Sequence, residues 1–316
     1  EWLIGWAGKT TEAGQGEYDS PNYMIMYVTP MLLLYDFAKE PLLHQLAGMI
    51  LDLLLADYFT ESLEGAWCGG HSRVTETEID KTRTNRVSVY HYLYAGGIPL
   101  IWGIHDWFGF AAQSGYRPPE ILERVANGRR FPFVHTEVKR TRNVIRYWDE
   151  PNPRVDKYTY MTSLYSLGSL RGDVLAPVQQ HAFDVTWNGS AENSLLFSVH
   201  PFVSGSELGK FFPQDTNDLA RTVIKQKPIF GSENKIISGS PYEKVYQYEN
   251  ILVALYSVPE DVQYPHVNLY WPKCLTRSEE GGWLFGQDGD FFLALHVPDD
   301  GIWRDKQEYE RYRFSA

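Results

Sequence analysis

Cysteine is almost missing from this chain: Cys68 and Cys274 are the only two in 316 residues. Two distant thiols build no disulfide framework, and they neither require nor forbid an oxidising compartment. Long apolar runs are missing too. The richest, Met49 to Ala56, already contains Asp52, so no membrane span of about eighteen apolar residues is expected. Positive charge is short. A formal net charge of −11 excludes the broadly basic field that nucleic-acid binding needs. HxH, HExxH and paired CxxC motifs do not occur, so no metal or other cofactor is expected, and a divalent-metal site would have to be assembled from distant positions. The P-loop, the GxGxxG fingerprint and the GxSxG elbow are also missing. Their absence argues against the common nucleotide-binding folds and a standard α/β-hydrolase.

Aromatic residues are plentiful, with ten Trp and 21 Tyr. Most should fill the core and the sheets, and some could stack on sugar rings. The chain opens on Glu1 and closes on the strand-like EYERYRFSA, which reads as a processed product or a piece of a longer protein.

The first third reads as helical. Tyr23 to Ala38 is apolar, with Pro30 expected to kink it or to mark its true first turn. Pro41 opens a clearer helix, in which Leu43, Leu46, Ala47, Ile50, Leu51, Leu54 and Tyr58 recur at three- and four-residue steps. Gly65 to Asp80 reads as loop. Val87 to Phe110 reads as two helices or one broken at Gly96-Gly97, and Pro118-Pro119 start a short helix that Gly128 ends. Beyond about Phe131 the segments FPFVHTEVKRT, KYTYMTSLYSLGSL, HAFDVTWNG, SLLFSVHPF, VYQYENILVALYSVP and WLFGQDGDFFLALHVP are β-branched, aromatic and partly alternating. Helices first and strands second is an α+β pattern. The expected division is a helical part over 1–128 and an antiparallel β domain, most simply stacked sheets, over 129–316. Arg129, Arg130, Lys139, Arg140, Arg142 and Arg146 crowd the boundary, either as a solvated strand face or as the lining of a cleft.

Four stretches carry residues capable of chemistry. GEYDSPNY gathers Glu17, Asp19, Asn22 and Tyr23 around a Ser-Pro turn, where Asp19 or Ser20 could simply cap a helix. GGHSR presents His71 and Arg73 on a glycine-rich loop; its plain alternative is a helix stop followed by a surface turn. KTRTNRVSVYHYLY, read as one helix, sets Arg83 and Arg86 on the face of Tyr90, and a neighbouring guanidinium would lower that phenol toward a usable base. VQQHAFDVTW, read as one strand, puts His181 on the face of Phe183 and Val185.

Helical hairpins followed by a β domain, with GEYDSPNY before one helix and GGHSR after the next, resemble the heparinase II/III-like family. PVQQHAFDVTW, YEKVYQYENILVALY and GWLFGQDGDFFLAL are similar to β-domain segments of that family. The resemblance implies a partial (α/α) toroid followed by a large antiparallel β-sandwich. It also implies a polysaccharide lyase that cleaves a uronate-containing glycan by β-elimination. In that reading Tyr90 is the base and acid, Arg83 its partner, His71 the neutraliser or second base, and His181 a histidine reaching in from the β domain. Asn22, Tyr23, Arg73, Arg86, Glu17 and Asp19 would bind substrate. A complete toroid needs more hairpins than this chain holds, which suggests missing N-terminal sequence. The expected partner is a polysaccharide or oligosaccharide, with a homodimer possible and a secreted or periplasmic location. Two other functions fit the same layout: a glycoside hydrolase using paired carboxylates among Glu17, Asp19, Glu76 and Glu78, or a glycan-binding protein without catalysis.

Overall fold

The structure is a computed structural model that describes residues 1–14, 18–72, 74, 82–99, 108–140, 154–172, 180–203, 225, 228–297, 303–306 and 310–315. The fold is α+β, with helices in the first part of the chain and antiparallel sheets in the rest.

Helix α1 spans Trp2–Ala13, α2 Pro21–Phe37 and α3 Pro41–Thr60. Proline sits at the first turn of both α2 and α3, where its missing N–H costs nothing and its fixed φ suits the helix. Ser20 caps α2, its hydroxyl accepting from the Tyr23 N–H at 3.3 Å. The helix therefore begins before Tyr23 and runs through Pro30 without ending there. Helices α4 (Ser88–Tyr94), α5 (Phe108–Gln113) and α6 (Glu120–Asn127) follow among the described residues. Met24, Val28, Leu51, Leu54, Leu55, Tyr58, Phe59 and Tyr90 share one apolar core between them. Helix α3 is long and apolar enough by composition to cross a membrane, with a mean hydropathy of 1.3. Its Leu51, Leu55 and Phe59, however, are wholly buried in this core.

After α3 come three two-residue strands, β1 (Ser62–Leu63), β2 (Ala66–Trp67) and β3 (His71–Ser72), and the last two fall in the stretch from Gly65 to Asp80 expected as loop. The longer strands are β4 (Phe133–Arg140), β5 (Arg154–Met161), β6 (Tyr165–Gly172), β8 (Phe183–Trp187), β9 (Leu195–Val199) and β12 (His266–Trp271). With β16 (Trp303–Lys306) and β17 (Glu310–Ser315) they form an eight-stranded sheet in the order β16-β17-β12-β9-β8-β6-β5-β4. The short β7 (Gln180–His181) pairs instead with β3. A hairpin of β10 (Glu243–Tyr248) and β11 (Ile251–Tyr256) stands apart from the large sheet, as does a meander of β13 (Ser278–Glu280), β14 (Trp283–Asp288) and β15 (Phe291–His296).

The register divides the large sheet into two faces. Leu167, Val185, Trp187, Leu196, Val267, Leu269 and Trp271 pack with Leu284 and Phe291 of the meander and with Leu252 and Tyr256 of the hairpin. The other face carries Lys157, Thr159, Gly168 and Asp184, and it meets the end of α3 and the segment after it. This second face is polar, buried and charged.

Two glycines after α3 answer to contact. Gly69 has a φ of +87°, and a Cβ there would sit 3.4 Å from Gly168 Cα and 3.2 Å from the Thr159 hydroxyl. A Cβ on Gly70 would fall 2.2 Å from Leu170 Cγ and 2.8 Å from the Ala182 carbonyl. The segment lies flat on the sheet because neither residue has a side chain. Gly168 is the complementary position, with no more than 2.5 Å from its would-be Cβ to Gly69 Cα. We expect Gly168→Ala to cost about 1–3 kcal/mol of overpacking, read as a lower urea midpoint. A midpoint equal to the parent's would mean that the two backbones are not held this close.

Candidate functional site

The site grows from charge in the wrong place. Asp57 lies in the last turn of α3 and Glu61 caps it, where the helix dipole disfavours anions. Both point toward the sheet. From β4 come Glu137 and Lys139, and from β5 comes Lys157, each on the face turned to the helices. Lys157 Nζ, fully buried, donates to Asp19 Oδ2 at 2.6 Å and also to Glu61 Oε2. Glu61 Oε1 accepts from the Thr159 hydroxyl at 2.6 Å, and Glu61 Oε2 accepts from Trp67 Nε1 at 3.2 Å. Lys139 Nζ reaches Asp57 at 2.6 Å, Glu137 at 2.9 Å and Asp19 at 3.1 Å.

Four carboxylates thus share two ammonium groups. The lysines hold Asp19 well below the usual carboxylate range even though its burial works the other way. Asp57 goes up to about 8, through burial and the nearby charges of Glu137 and Asp19. The surrounding carboxylates keep both lysines protonated in spite of burial. Two groups of donors, Glu61–His135–Glu137 and Asp19–Asp57–Glu137, are each close enough to grip one cation, with ligand atoms within 4.8 Å. Lys139 contacts all three members of the second group, and Lys157 contacts both carboxylates of the first. Ammonium groups already fill the role a metal would have.

Two histidines adjoin this cluster. His71 on β3 and His181 on β7 are direct cross-strand partners, with ring centroids 6.3 Å apart. His71 Nδ1 lies 2.8 Å from the Asp19 carbonyl. A carbonyl only accepts, so Nδ1 carries the proton and Nε2 presents a lone pair. Nε2 lies 3.9 Å from Asp184 Oδ2. Burial lowers His71 to about 4 and raises Asp184 to about 7. The other Asp184 oxygen accepts from the Gly69 N–H at 2.9 Å. His181 packs on Phe197 at 4.3 Å, and burial lowers it well below the ordinary histidine value. Neither of its ring nitrogens has a hydrogen-bond partner among the described residues, nor does the buried Tyr18 hydroxyl. Asp19, whose side chain and carbonyl anchor both halves, has a φ of +53°, a left-handed conformation uncommon for a non-glycine residue.

The structure unites His71, His181 and Asp19 but separates other expected members. Tyr90 is wholly buried in the helical core, stacked with Tyr94 at 6.2 Å. Burial pushes its phenol up, reversing the expected lowering. Arg83 shares no helix with it, because Thr82–Thr84 is a 3-10 turn and α4 begins only at Ser88. Arg83 instead donates to the Trp187 carbonyl at 2.9 Å and to Asn188 Oδ1 at 3.0 Å, tying this turn to the sheet. Arg86 is exposed and donates to Asn22 Oδ1 at 3.0 Å. Tyr23 supplies the N–H that Ser20 caps. Glu17 and Arg73 lie outside the described residues, as do Glu76, Glu78, Arg142 and Arg146.

His181 does not share the face of Val185. The chain breaks strand pairing at Ala182, whose carbonyl accepts from the Leu170 N–H at 2.8 Å, and the His181 ring packs against Phe197 and beside His71. The basic boundary is not simply a solvated strand face. Arg129 is buried and donates to the Phe59 and Ser62 carbonyls at 2.8 and 2.9 Å, and Lys139 is buried among carboxylates.

Sequence reasoning passed over Asp57, Glu61, Glu137, Lys157 and Asp184. One signal was available: Lys157 falls in phase with Val155, Thr159 and Met161, the inward positions of β5. A lysine in that phase needs carboxylates opposite it. Comparison of the chain with protein-family models, with curated proteins and with solved structures finds no match.

Replacing the central ammonium tests the cluster. Lys157→Met leaves Asp19 and Glu61 without their shared cation, and we expect a loss of about 3–5 kcal/mol in urea unfolding near neutral pH. A loss under about 1 kcal/mol would show that the two carboxylates are not held ionised.

The pH dependence tests Asp184. Its folded value is raised from the ordinary 3.8 to about 7, so its contribution to stability declines as pH rises through that window. His71 is lowered from 6.5 to about 4, so its contribution grows as pH rises between those values. Asp184→Asn keeps an acceptor for Gly69 and removes only the first trend. Its thermal midpoint should gain on the parent's as pH rises from about 5 to about 8; a gap that does not change over that range would mean Asp184 is not raised into it.

Proposed function

We propose that this chain is a carbohydrate-active enzyme, a polysaccharide lyase acting on a uronate-containing glycan at the boundary between its helices and its large sheet. In this reading the helices are part of an incomplete (α/α) toroid, and the large sheet with the meander and hairpin is a β-sandwich. The observation that carries it is the His71–His181 pair. Two histidines from distant parts of the sequence meet in register beside fixed charges. Both are lowered by burial and are therefore neutral near neutral pH, each with one ring nitrogen whose lone pair can accept a proton.

β-Elimination needs a base to take the proton on the carbon beside the carboxylate. The electron pair left behind forms the new carbon–carbon double bond as the adjacent carbon–oxygen bond breaks, and the leaving oxygen takes a proton. His71 Nε2 offers the lone pair that takes the proton from carbon, and the imidazolium so formed hands it to the leaving oxygen, directly or through the adjoining His181. The substrate carboxylate must also be held by hydrogen bonds or positive charge while the intermediate forms. The exposed Arg86–Asn22 pair, whose Asn22 follows Asp19 closely in sequence, has the chemistry for that. Tyr90 has no part in this scheme. A polymeric substrate suits a secreted or periplasmic enzyme.

A glycoside hydrolase is the second reading, favoured by one observation. Asp184, raised to about 7, would hold a proton near neutrality in the same cluster where Asp19 stays ionised, and such a divided pair suits acid and base roles.

Incubation with a panel of uronate polysaccharides should produce new ultraviolet absorbance from unsaturated uronate ends. His71→Ala and His181→Gln should each lower the rate by about 10²–10⁴-fold while circular dichroism stays that of the parent. No absorbance across the panel from folded protein would overturn the lyase reading. New reducing ends without absorbance would favour the hydrolase.

A further inference from the structure

The large sheet has a concave feature on the face turned away from the histidines. Strands β4, β5 and β6 form its floor and β10 its wall, enclosing a cleft of about 330 Å³. The hairpin is pinned there by Gln247 Nε2 donating to the Leu167 carbonyl at 2.7 Å and by the Glu249 N–H donating to the Tyr158 hydroxyl at 3.0 Å. On the floor stand Arg154 and Arg171, flanking Asp156, the direct cross-strand partner of Arg171. The register also sets Arg140 opposite Arg154.

The charges do not cancel. Asp156 Oδ1 accepts from Arg154 Nε at 2.7 Å and from its Nη2 at 2.5 Å, while Arg171 Nη2 reaches Oδ2 only at 3.4 Å. One carboxylate therefore serves two guanidinium groups. Each guanidinium has five N–H donors, so several remain for a ligand. Both arginine side chains stay open to solvent, at 67% and 65% exposure. On a chain of net charge −11, a concave spot with surplus positive charge is a local exception. Tyr246, 53% exposed on the wall, adds an aromatic surface of the kind that stacks on a sugar ring.

The geometry points to a second glycan site in this cleft, which holds an acidic sugar unit with its carboxylate or sulfate on Arg154 and Arg171 and its ring against Tyr246. Guanidinium forks match the planar carboxylate and the sulfate oxygens better than ammonium does. The opening lies across the sheet from His71 and His181, so it holds substrate without touching the reacting bond. The site deepens the proposed function by naming an anionic glycan, but it rests on its own residues and is tested by binding alone.

Calorimetric titration of the His71→Ala protein with oligogalacturonate and with a sulfated glucan oligosaccharide separates binding from turnover. Arg154→Ala/Arg171→Ala should weaken binding at least tenfold, and Asp156→Asn should tighten it by releasing the guanidinium groups. Both side chains are exposed, and an unchanged thermal midpoint checks that the double variant folds. Inorganic sulfate, a neutral glucan and a single-stranded oligonucleotide are the comparison arms. The proposal is overturned if neither acidic oligosaccharide binds, if the double variant binds as the parent does, or if sulfate or the oligonucleotide binds as tightly as the sugars. Binding that is lost in the double variant upholds this site even where no uronate polysaccharide is cleaved.

Discussion

Lys157 is the interaction on which the rest depends. Its ammonium group is wholly buried and joins Asp19, from the turn before α2, to Glu61, at the end of α3, on the second strand of the large sheet. An unpaired charge at that depth is prohibitively costly, so helices and sheet must meet in the one arrangement that pairs it. Buried ion pairs add little net stability over a well-packed apolar substitute. Here the pairing acts mainly on specificity, because it fixes which helix end faces which strand. Lys139, Asp57 and Glu137 extend the same constraint to the edge strand.

The histidine pair follows from that anchor. With Asp19 held by both lysines in a left-handed backbone conformation, its carbonyl is aimed at His71 Nδ1. That bond fixes the tautomer and turns Nε2 toward Asp184. The bare backbone of Gly69 and Gly70 then lets β3 settle onto the sheet and pair with β7. Packing, tautomer and protonation state are linked, since the burial that seals the interface also keeps both imidazoles neutral. The opposite face of the same sheet stays partly open, and there Arg154 and Arg171 offer the charge that the buried face withholds.

Much of the fold was legible in the chain. Proline at the first turns of α2 and α3, the three- and four-residue apolar steps of α3, and alternation in β4 to β6 all act within a few residues, so local sequence reports them. The order of helices and strands gave the α+β class for the same reason. His71 stood out because two glycines preceded it, and glycine pairs mark close backbone approach. The Arg83–Tyr90 reading failed because it assumed one helix across Asn85 to Val87, where Asn85 Oδ1 instead accepts from the Val87 and Ser88 N–H groups and starts α4 there. The shared face of His181 and Val185 failed at Ala182, a one-residue break that period-two reasoning cannot foresee.

The sequence by itself determined the elements, the polar phase of Lys157 and the glycine-marked turn, because propensity and periodicity are properties of neighbouring residues. Only the tertiary structure decided which carboxylates surround Lys157, that His71 faces His181 and not Tyr90, and that Asp184 lies beside them. Those pairings join segments far apart in the chain, and the physical reason they form is the desolvation of charge, which depends on the packed interior as a whole.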